Sequence, residues 1–238
     1  MGFSLYTWTI FLGVSLIFCS CDPAQPKYDS WLKTGGGNEN LKYSSLHQID
    51  TSNYDQLGVA WIYYSENKDS TKFGPMECNP IVVDGVMYGV SPKLKLFAIN
   101  AATGKELWIF NPADSVANKK WHRNSVNMNR GVAYWANGND KRIIYTVGPI
   151  VFCVNALTGN LVKSFGQEGG INLVNGLDRN PDKLFVAPTS PVMVYKNLFF
   201  VSGLVGDETP GHIRAFDIKS GQQKWIFHTI PYPQDKGY

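Results

Sequence analysis

Among the 238 residues there is no CxxC pair, and the four histidines form no cluster at metal-binding spacing, which excludes zinc fingers and ribbons. Neither sign of charge dominates: 22 Lys and Arg stand against 19 Asp and Glu, a formal net charge of +3. The basic residues are scattered rather than gathered into a stripe, so the electrostatic footprint of a nucleic-acid binder is missing and nucleic acid is discounted as a partner. Charged residues make up only 17% of the chain and hydrophobic ones 44%. Such a chain is too apolar to be a disordered polyelectrolyte and long enough to bury a core.

No apolar run is long enough to span a bilayer comfortably. From Phe3 to Phe18 there is no charged residue, and Ile10–Phe18 is apolar apart from Gly13 and Ser15. At the extreme N-terminus, followed by small residues, this reads as the apolar core of a secretory signal and is set aside from the fold. Ser20 directly before Cys21 resembles a bacterial lipobox, so residues 1–21 are expected to be a signal ending at a lipidated Cys21. No Lys or Arg precedes the run, and Phe18 and Cys19 stand where aliphatic and small residues are usual, so an ordinary signal peptide or an uncleaved anchor is the alternative. On the first reading, residues 22–30 with Pro23 and Pro26 tether an exported domain, 31–238, to a membrane by lipid, facing the periplasm or the cell exterior. That leaves Cys78 and Cys153 in a compartment that permits disulfides; both sit in apolar, strand-like surroundings that suit buried thiols.

What the chain does contain is a repeat. One copy is Ile81–Val90, Leu96–Asn100, the turn Ala101-Ala102-Thr103-Gly104 and Lys105–Phe110. A second is Arg142–Val147, Ile150–Asn155, Ala156-Leu157-Thr158-Gly159 and Leu161–Phe165; a third is Val192–Val201, Ile213–Asp217, Ile218-Lys219-Ser220-Gly221 and Gln223–Phe227. Alignment places Asn100, Asn155 and Asp217 together, then Gly104, Gly159 and Gly221, then Trp108 and Trp225, with Lys163 breaking the Trp position. The Asn or Asp caps a tight turn through its own backbone, Thr or Ser adds a second cap, and Gly takes the positive φ. The Trp on the following strand is placed to pack flat against the neighbouring sheet.

This is the pattern of an all-β propeller blade, repeated at roughly 55 to 62 residues, a little longer than most blades, so loops are inserted between strands. Trp31 to Trp61, ending in Leu57-Gly58-Val59-Ala60-Trp61, is expected to supply an odd strand or a partial blade. Three blades do not close a ring, so the chain reads as part of a larger propeller.

Longer strings carry a resemblance to a family. Leu41-Lys42-Tyr43-Ser44-Ser45-Leu46-His47-Gln48-Ile49 with Asn53, then Val59-Ala60-Trp61, Arg130-Gly131-Val132-Ala133-Tyr134-Trp135, Pro188-Thr189-Ser190-Pro191, Gly211–Asp217 and Phe227-His228-Thr229-Ile230-Pro231 occur in this order. Together they resemble the quinoprotein dehydrogenases that oxidise glucose and related polyols with pyrroloquinoline quinone (PQQ). The resemblance covers nearly all of Trp31–Tyr238 and implies a parent propeller of eight blades, of which about three are present.

The resemblance implies cofactor contacts at Glu77, Arg130, Thr189, Ser190 and Arg214. PQQ is a planar tricarboxylate, and an Arg fork suits carboxylate better than Lys does. Each residue also has a plainer role: a surface ion pair for Arg130, an exposed loop carboxylate for Glu77, turn capping beside Pro191 for Thr189 and Ser190, and strand support for Arg214. His122, Arg123 and His212 are weaker candidates. The vicinal cysteine pair of the alcohol-oxidising relatives is absent, which agrees better with the sugar-oxidising branch, and Pro210 stands where those relatives carry an acidic calcium ligand. The family's catalytic aspartate and remaining ligands for calcium or magnesium are expected beyond Tyr238. The implied function is oxidation of a sugar or polyol, with electrons passed to a membrane quinone; the competing class is a non-catalytic propeller lipoprotein serving as an assembly scaffold.

Overall fold

The structure, a computed structural model, describes residues 30–65, 76–115 and 128–235. Among the described residues fourteen strands run in chain order. The first sheet is β1 (Ile81–Val83), β2 (Val86–Val90), β3 (Leu96–Asn100) and β4 (Glu106–Phe110), paired in that order. The middle sheet is β5 (Ala133–Asn137), β6 (Asp140–Val147), β7 (Ile150–Asn155) and β8 (Gly170–Asn172). The third sheet pairs β10 (Met193–Tyr195), β11 (Leu198–Val201), β13 (Ile213–Asp217) and β14 (Gln223–Phe227), while β9 (Val186–Ala187) and β12 (Leu204–Val205) form a separate ribbon. Every pairing is antiparallel, so each four-stranded unit is a meander, as a propeller blade requires.

The turns between third and fourth strands form as their residue types dictate. Asn100 Oδ1 accepts from the Ala102 and Thr103 amides, both at 3.0 Å, and Asn155 Oδ1 accepts from those of Leu157 and Thr158 at 2.9 and 3.0 Å. Asp217 Oδ1 does the same for Lys219 and Ser220 at 3.1 and 2.8 Å. Each turn closes with the glycine amide donating to the carbonyl of the capping residue, at a glycine φ of 69°, 73° and 74°.

Onto each of the first two turns lies an indole. Trp61 Nε1 donates to the Ala101 carbonyl at 3.2 Å and Trp108 Nε1 to that of Ala156 at 3.1 Å. A Cβ on Gly104 would stand 2.6 Å from the Trp61 ring, and one on Gly159 2.7 Å from the Trp108 ring, so the glycines serve contact as well as conformation. Residues 57–64 form no ladder among the described residues, but Trp61 docks as a blade tryptophan does.

The third turn is served differently. Lys163 occupies the aligned Trp position and is exposed. The Ile218 carbonyl accepts instead from Arg142 Nη1 at 3.2 Å, and the Lys219 carbonyl from the same atom at 2.9 Å. Asp140 holds this guanidinium through Nε and Nη2 at 2.8 and 2.9 Å, beneath the Trp135 ring. The expectation of a fourth strand over Leu161–Phe165 is corrected here: Leu161 makes one bridge to Val154, then the chain turns through the Phe165 amide to Val162 carbonyl bond and buries Phe165 fully. Without an indole to hold it flat, this segment leaves the sheet, and β8 supplies the outer strand.

Two cores follow. Ile143, Tyr145 and Val147 of the middle sheet pack with Tyr88, Leu96 and Ala98 of the first, while Ile144, Val151 and Cys153 pack with Phe199, Val201 and Phe216 of the third. The alternation is the period of two of a pleated strand. Because both its faces are covered, the middle sheet reads as unbroken apolar runs in sequence. On the third sheet Trp225 is 43% exposed, resting on Phe200. Trp108→Ala, which removes an indole joining two sheets, is expected to cost about 3 kcal/mol in urea unfolding, whereas Trp225→Ala costs less than about 1 kcal/mol.

Candidate functional site

The first strand of each sheet is preceded by a loop, and these loops meet. Asn79, ahead of β1, bridges Gly131, ahead of β5, in parallel; its amide and its Nδ2 donate to the Arg130 carbonyl at 3.0 and 3.3 Å. The Arg130 amide in turn donates to the Thr189 carbonyl, ahead of β10, at 2.8 Å. The three first strands thus stand side by side, as the innermost strands of neighbouring propeller blades do. Gly131 has a φ of 149°, and a Cβ there would meet Pro191 Cγ at 3.0 Å and the Asn79 carbonyl at 3.1 Å, so only glycine lets the loops close to this distance.

Along them runs a cleft of about 550 Å³. Arg130, Ser190, Asn79 and Lys33 contribute its polar lining, and Val132, Tyr134, Pro191 and Val192 its apolar wall. The Arg130 side chain is 54% exposed, with Nε 3.5 Å from Glu77 Oε2. At that distance and exposure the pair adds little stability, but it biases where the guanidinium points. Among the described residues no hydrogen bond engages the hydroxyl of Thr189 or Ser190. Of the five expected cofactor contacts, Arg130 and Ser190 line the cleft, Glu77 touches Arg130, and Thr189 joins through its main chain.

Arg214 is not brought there. It lies on β13, only 4% exposed, and donates from Nη1 to the Asn175 carbonyl at 2.9 Å and from Nη2 to that of Leu173 at 2.6 Å. Burial pushes its guanidinium down to about 10, still charged at neutral pH. Its work is to tie the third sheet to the segment that follows β8. His212 belongs to another group: its ring meets that of His228 edge-on at 4.6 Å, and Tyr232 lies 3.5 Å from its Nε2. Burial first, and His228 second, hold its imidazole below the ordinary range. His228 Nδ1 sits 2.9 Å from both carboxylate oxygens of Asp235, so the Phe227–Pro231 string anchors the segment after β14. Cys21, His122 and Arg123 lie outside the described residues. Cys78 and Cys153 are free thiols, pushed by burial up to about 11 and about 12. Among the described residues no group of three or more His, Cys, Asp or Glu side chains is placed to hold a metal ion, so none of them is assigned to the expected cation.

Residues 31–237 match the PQQ family described as the glucose/ethanol/alcohol dehydrogenase β-propeller domain. The chain belongs to this quinoprotein dehydrogenase family. It is 29% identical over 207 residues to the dehydrogenase subunit of the alcohol dehydrogenase (quinone) of Gluconobacter oxydans, covering 87% of this chain and 25% of that protein. The quinoprotein glucose dehydrogenase of Escherichia coli is 29% identical over 217 residues, at 83% and 27% coverage, and the glycerol dehydrogenase large subunit of G. oxydans 30% identical over 221 residues, at 86% and 29%. Among solved structures, the quinohemoprotein alcohol dehydrogenase of Comamonas testosteroni superposes with a TM-score of 0.65 at 25% identity, covering 85% of this chain and 28% of that one. The chain therefore spans a little over a quarter of the length of these relatives, from 25% to 29%. Their near-equal identities do not separate the alcohol, glucose and glycerol branches.

The cleft fits the family's cofactor. A flat tricarboxylate asks for fixed cations and donors at its rim and an apolar wall against its rings; Arg130, Lys33 and the Ser190 hydroxyl supply the first, and Val132, Pro191 and Val192 the second.

Sequence reasoning missed Asn79, Lys33 and Asn129. Asn79 and Asn129 each stand within two residues of a named candidate, and Asn before Pro80 or Arg130 is the signal that a side chain there caps a loop. Lys33 comes from the segment before the first sheet, and nothing in its surroundings marks it. Arg214→Ala, which strands two carbonyls and removes a buried cation, is expected to destabilise the fold by about 2 to 3 kcal/mol in urea unfolding. Arg130→Ala is expected to leave the unfolding midpoint nearly unchanged.

Proposed function

We propose that this chain is the N-terminal part of a PQQ-dependent dehydrogenase that oxidises a sugar or polyol and passes the electrons to a membrane quinone. The observation that carries the reading is the meeting of Arg130, Ser190 and Glu77 at the head of three adjacent first strands, in a chain of the quinoprotein family. The sugar or polyol branch is favoured by the lack of adjacent cysteines anywhere in the sequence. On this reading Cys21 carries the lipid that holds the protein to its membrane.

The chemistry supplied by the bound quinone is acceptance of two electrons from the substrate carbinol carbon. The residues of this chain bind and orient. Arg130 presents its guanidinium fork to a carboxylate, with Glu77 restraining its swing, and Ser190 donates its hydroxyl to the same rim. Val132, Pro191 and Val192 keep water from one face, which strengthens those polar contacts. No described residue is proposed as the general base.

Fluorescence-quenching titration of the chain with PQQ, with and without calcium, tests the reading. Saturable binding is expected, weakened about 10- to 100-fold in Arg130→Ala, the loss of one charge-assisted contact. Dye-linked oxidation by the full-length gene product is expected to favour glucose or glycerol over ethanol in kcat/KM. Ethanol preference would overturn the branch, and absence of PQQ binding would return the chain to the scaffold class.

A further inference from the structure

We infer that Thr146 is a positioning residue: it pins together the two loops that carry Arg130 and Ser190. What those loops hold rests on the cofactor reading above; that Thr146 holds them does not.

Thr146 lies on β6 at 1% exposure, in the run Ile143-Ile144-Tyr145-Thr146-Val147 where every neighbour is apolar. A hydroxyl in such a place is costly unless hydrogen-bonded. Its Oγ1 donates to the Pro188 carbonyl at 2.8 Å, at the root of the loop bearing Thr189 and Ser190. Its own carbonyl accepts from Asn129 Nδ2 at 3.0 Å. Asn129 is itself buried, and its Oδ1 accepts from the Gly131 amide at 2.8 Å. The register explains why side chains are needed at this point: β5 pairs with β6 only from Ala133 opposite Ile144, so two residues further along β6 the ladder has run out of partner. Asn129 continues the ladder by side chain, and Thr146 turns it toward the third sheet.

The bonds close a circuit. Thr146 holds Pro188 by its hydroxyl and Asn129 by its carbonyl, and the Arg130 amide meets the Thr189 carbonyl at 2.8 Å between them. One buried residue of the middle sheet thus sets the spacing between the guanidinium of Arg130 and the hydroxyl of Ser190. A separation of that kind decides whether two rim groups reach one rigid ligand together.

Thr146→Val keeps the shape and removes the hydroxyl, leaving the Pro188 carbonyl unpaired; Thr146→Ser restores the donor. Asn129→Asp breaks the other arm and serves should the valine variant fold poorly. Two readouts are taken on the whole chain, amide hydrogen exchange without cofactor and the dissociation constant for PQQ. Val147→Ala, a core truncation on the same strand that touches neither loop bond, is the control for general loosening. Thr146→Val and Asn129→Asp are expected to speed exchange of the Arg130 and Gly131 amides at least about tenfold over that control, and to weaken PQQ about tenfold, the effect of one lost neutral hydrogen bond. Thr146→Ser is expected to lie within about twofold of the parent in both, a methyl playing no part in the tie. Unchanged amide exchange in Thr146→Val, or a loss of affinity no larger than in Val147→Ala, overturns the inference. A parent chain that binds no PQQ overturns the function instead, and the amide exchange still decides whether Thr146 holds the two loops.

Discussion

An indole lying flat on a glycine turn, its N–H on a carbonyl of that turn, is the contact on which the rest depends. Trp61 seats the segment before the first sheet on that sheet's turn, Trp108 sets the first sheet against the middle one, and Arg142 supplies the donor in the same place between the middle and third sheets. Without that fixed offset the first strands of three sheets have no reason to stand side by side, and the loops before them no reason to meet. The cleft is a consequence of sheet stacking: Asn79, Gly131 and Pro191 come into contact because the blades behind them are stacked. On the third turn the two parts of the contact are divided: Arg142 supplies the donor for the Ile218 and Lys219 carbonyls, while the main chain of Gly166 and the side chain of Ile171 lie against Gly221.

Burial is shared unequally among the sheets. The middle one is covered on both faces, by Tyr88 and Leu96 on one side and Phe199 and Phe216 on the other, and it carries the residues that tie the site. Arg142, Thr146 and Asn129 are all polar, buried and fully engaged there. Polar groups in such a setting are specific because any other arrangement would strand them.

Much of this was legible in the sequence because turn chemistry is local. Asn100-Ala101-Ala102-Thr103-Gly104 and its two relatives encode their own hydrogen bonds, and the apolar runs between them encode strands. The strand misplaced over Leu161–Phe165 shows the limit: Lys163 announced that the pattern was broken, yet where the chain would go depended on Phe165 finding Phe199 across a sheet interface. Arg130 and Ser190, which line the cleft, were singled out through the strings around them. Arg214 sits in a string of the same quality but spends its donors on Leu173 and Asn175, a distinction that only long-range packing makes. Thr146 carries no local mark in the sequence, since nothing near it separates a hydroxyl aimed at a neighbouring loop from a methyl.

The central claim is that the cleft at the head of the first strands receives a flat polycarboxylate quinone. The most direct measurement is a crystal structure of the chain grown with PQQ. The account predicts the quinone against Val132 and Pro191, with a carboxylate on the Arg130 guanidinium and another within reach of Ser190. Quinone bound elsewhere, with this cleft holding only solvent, would contradict it.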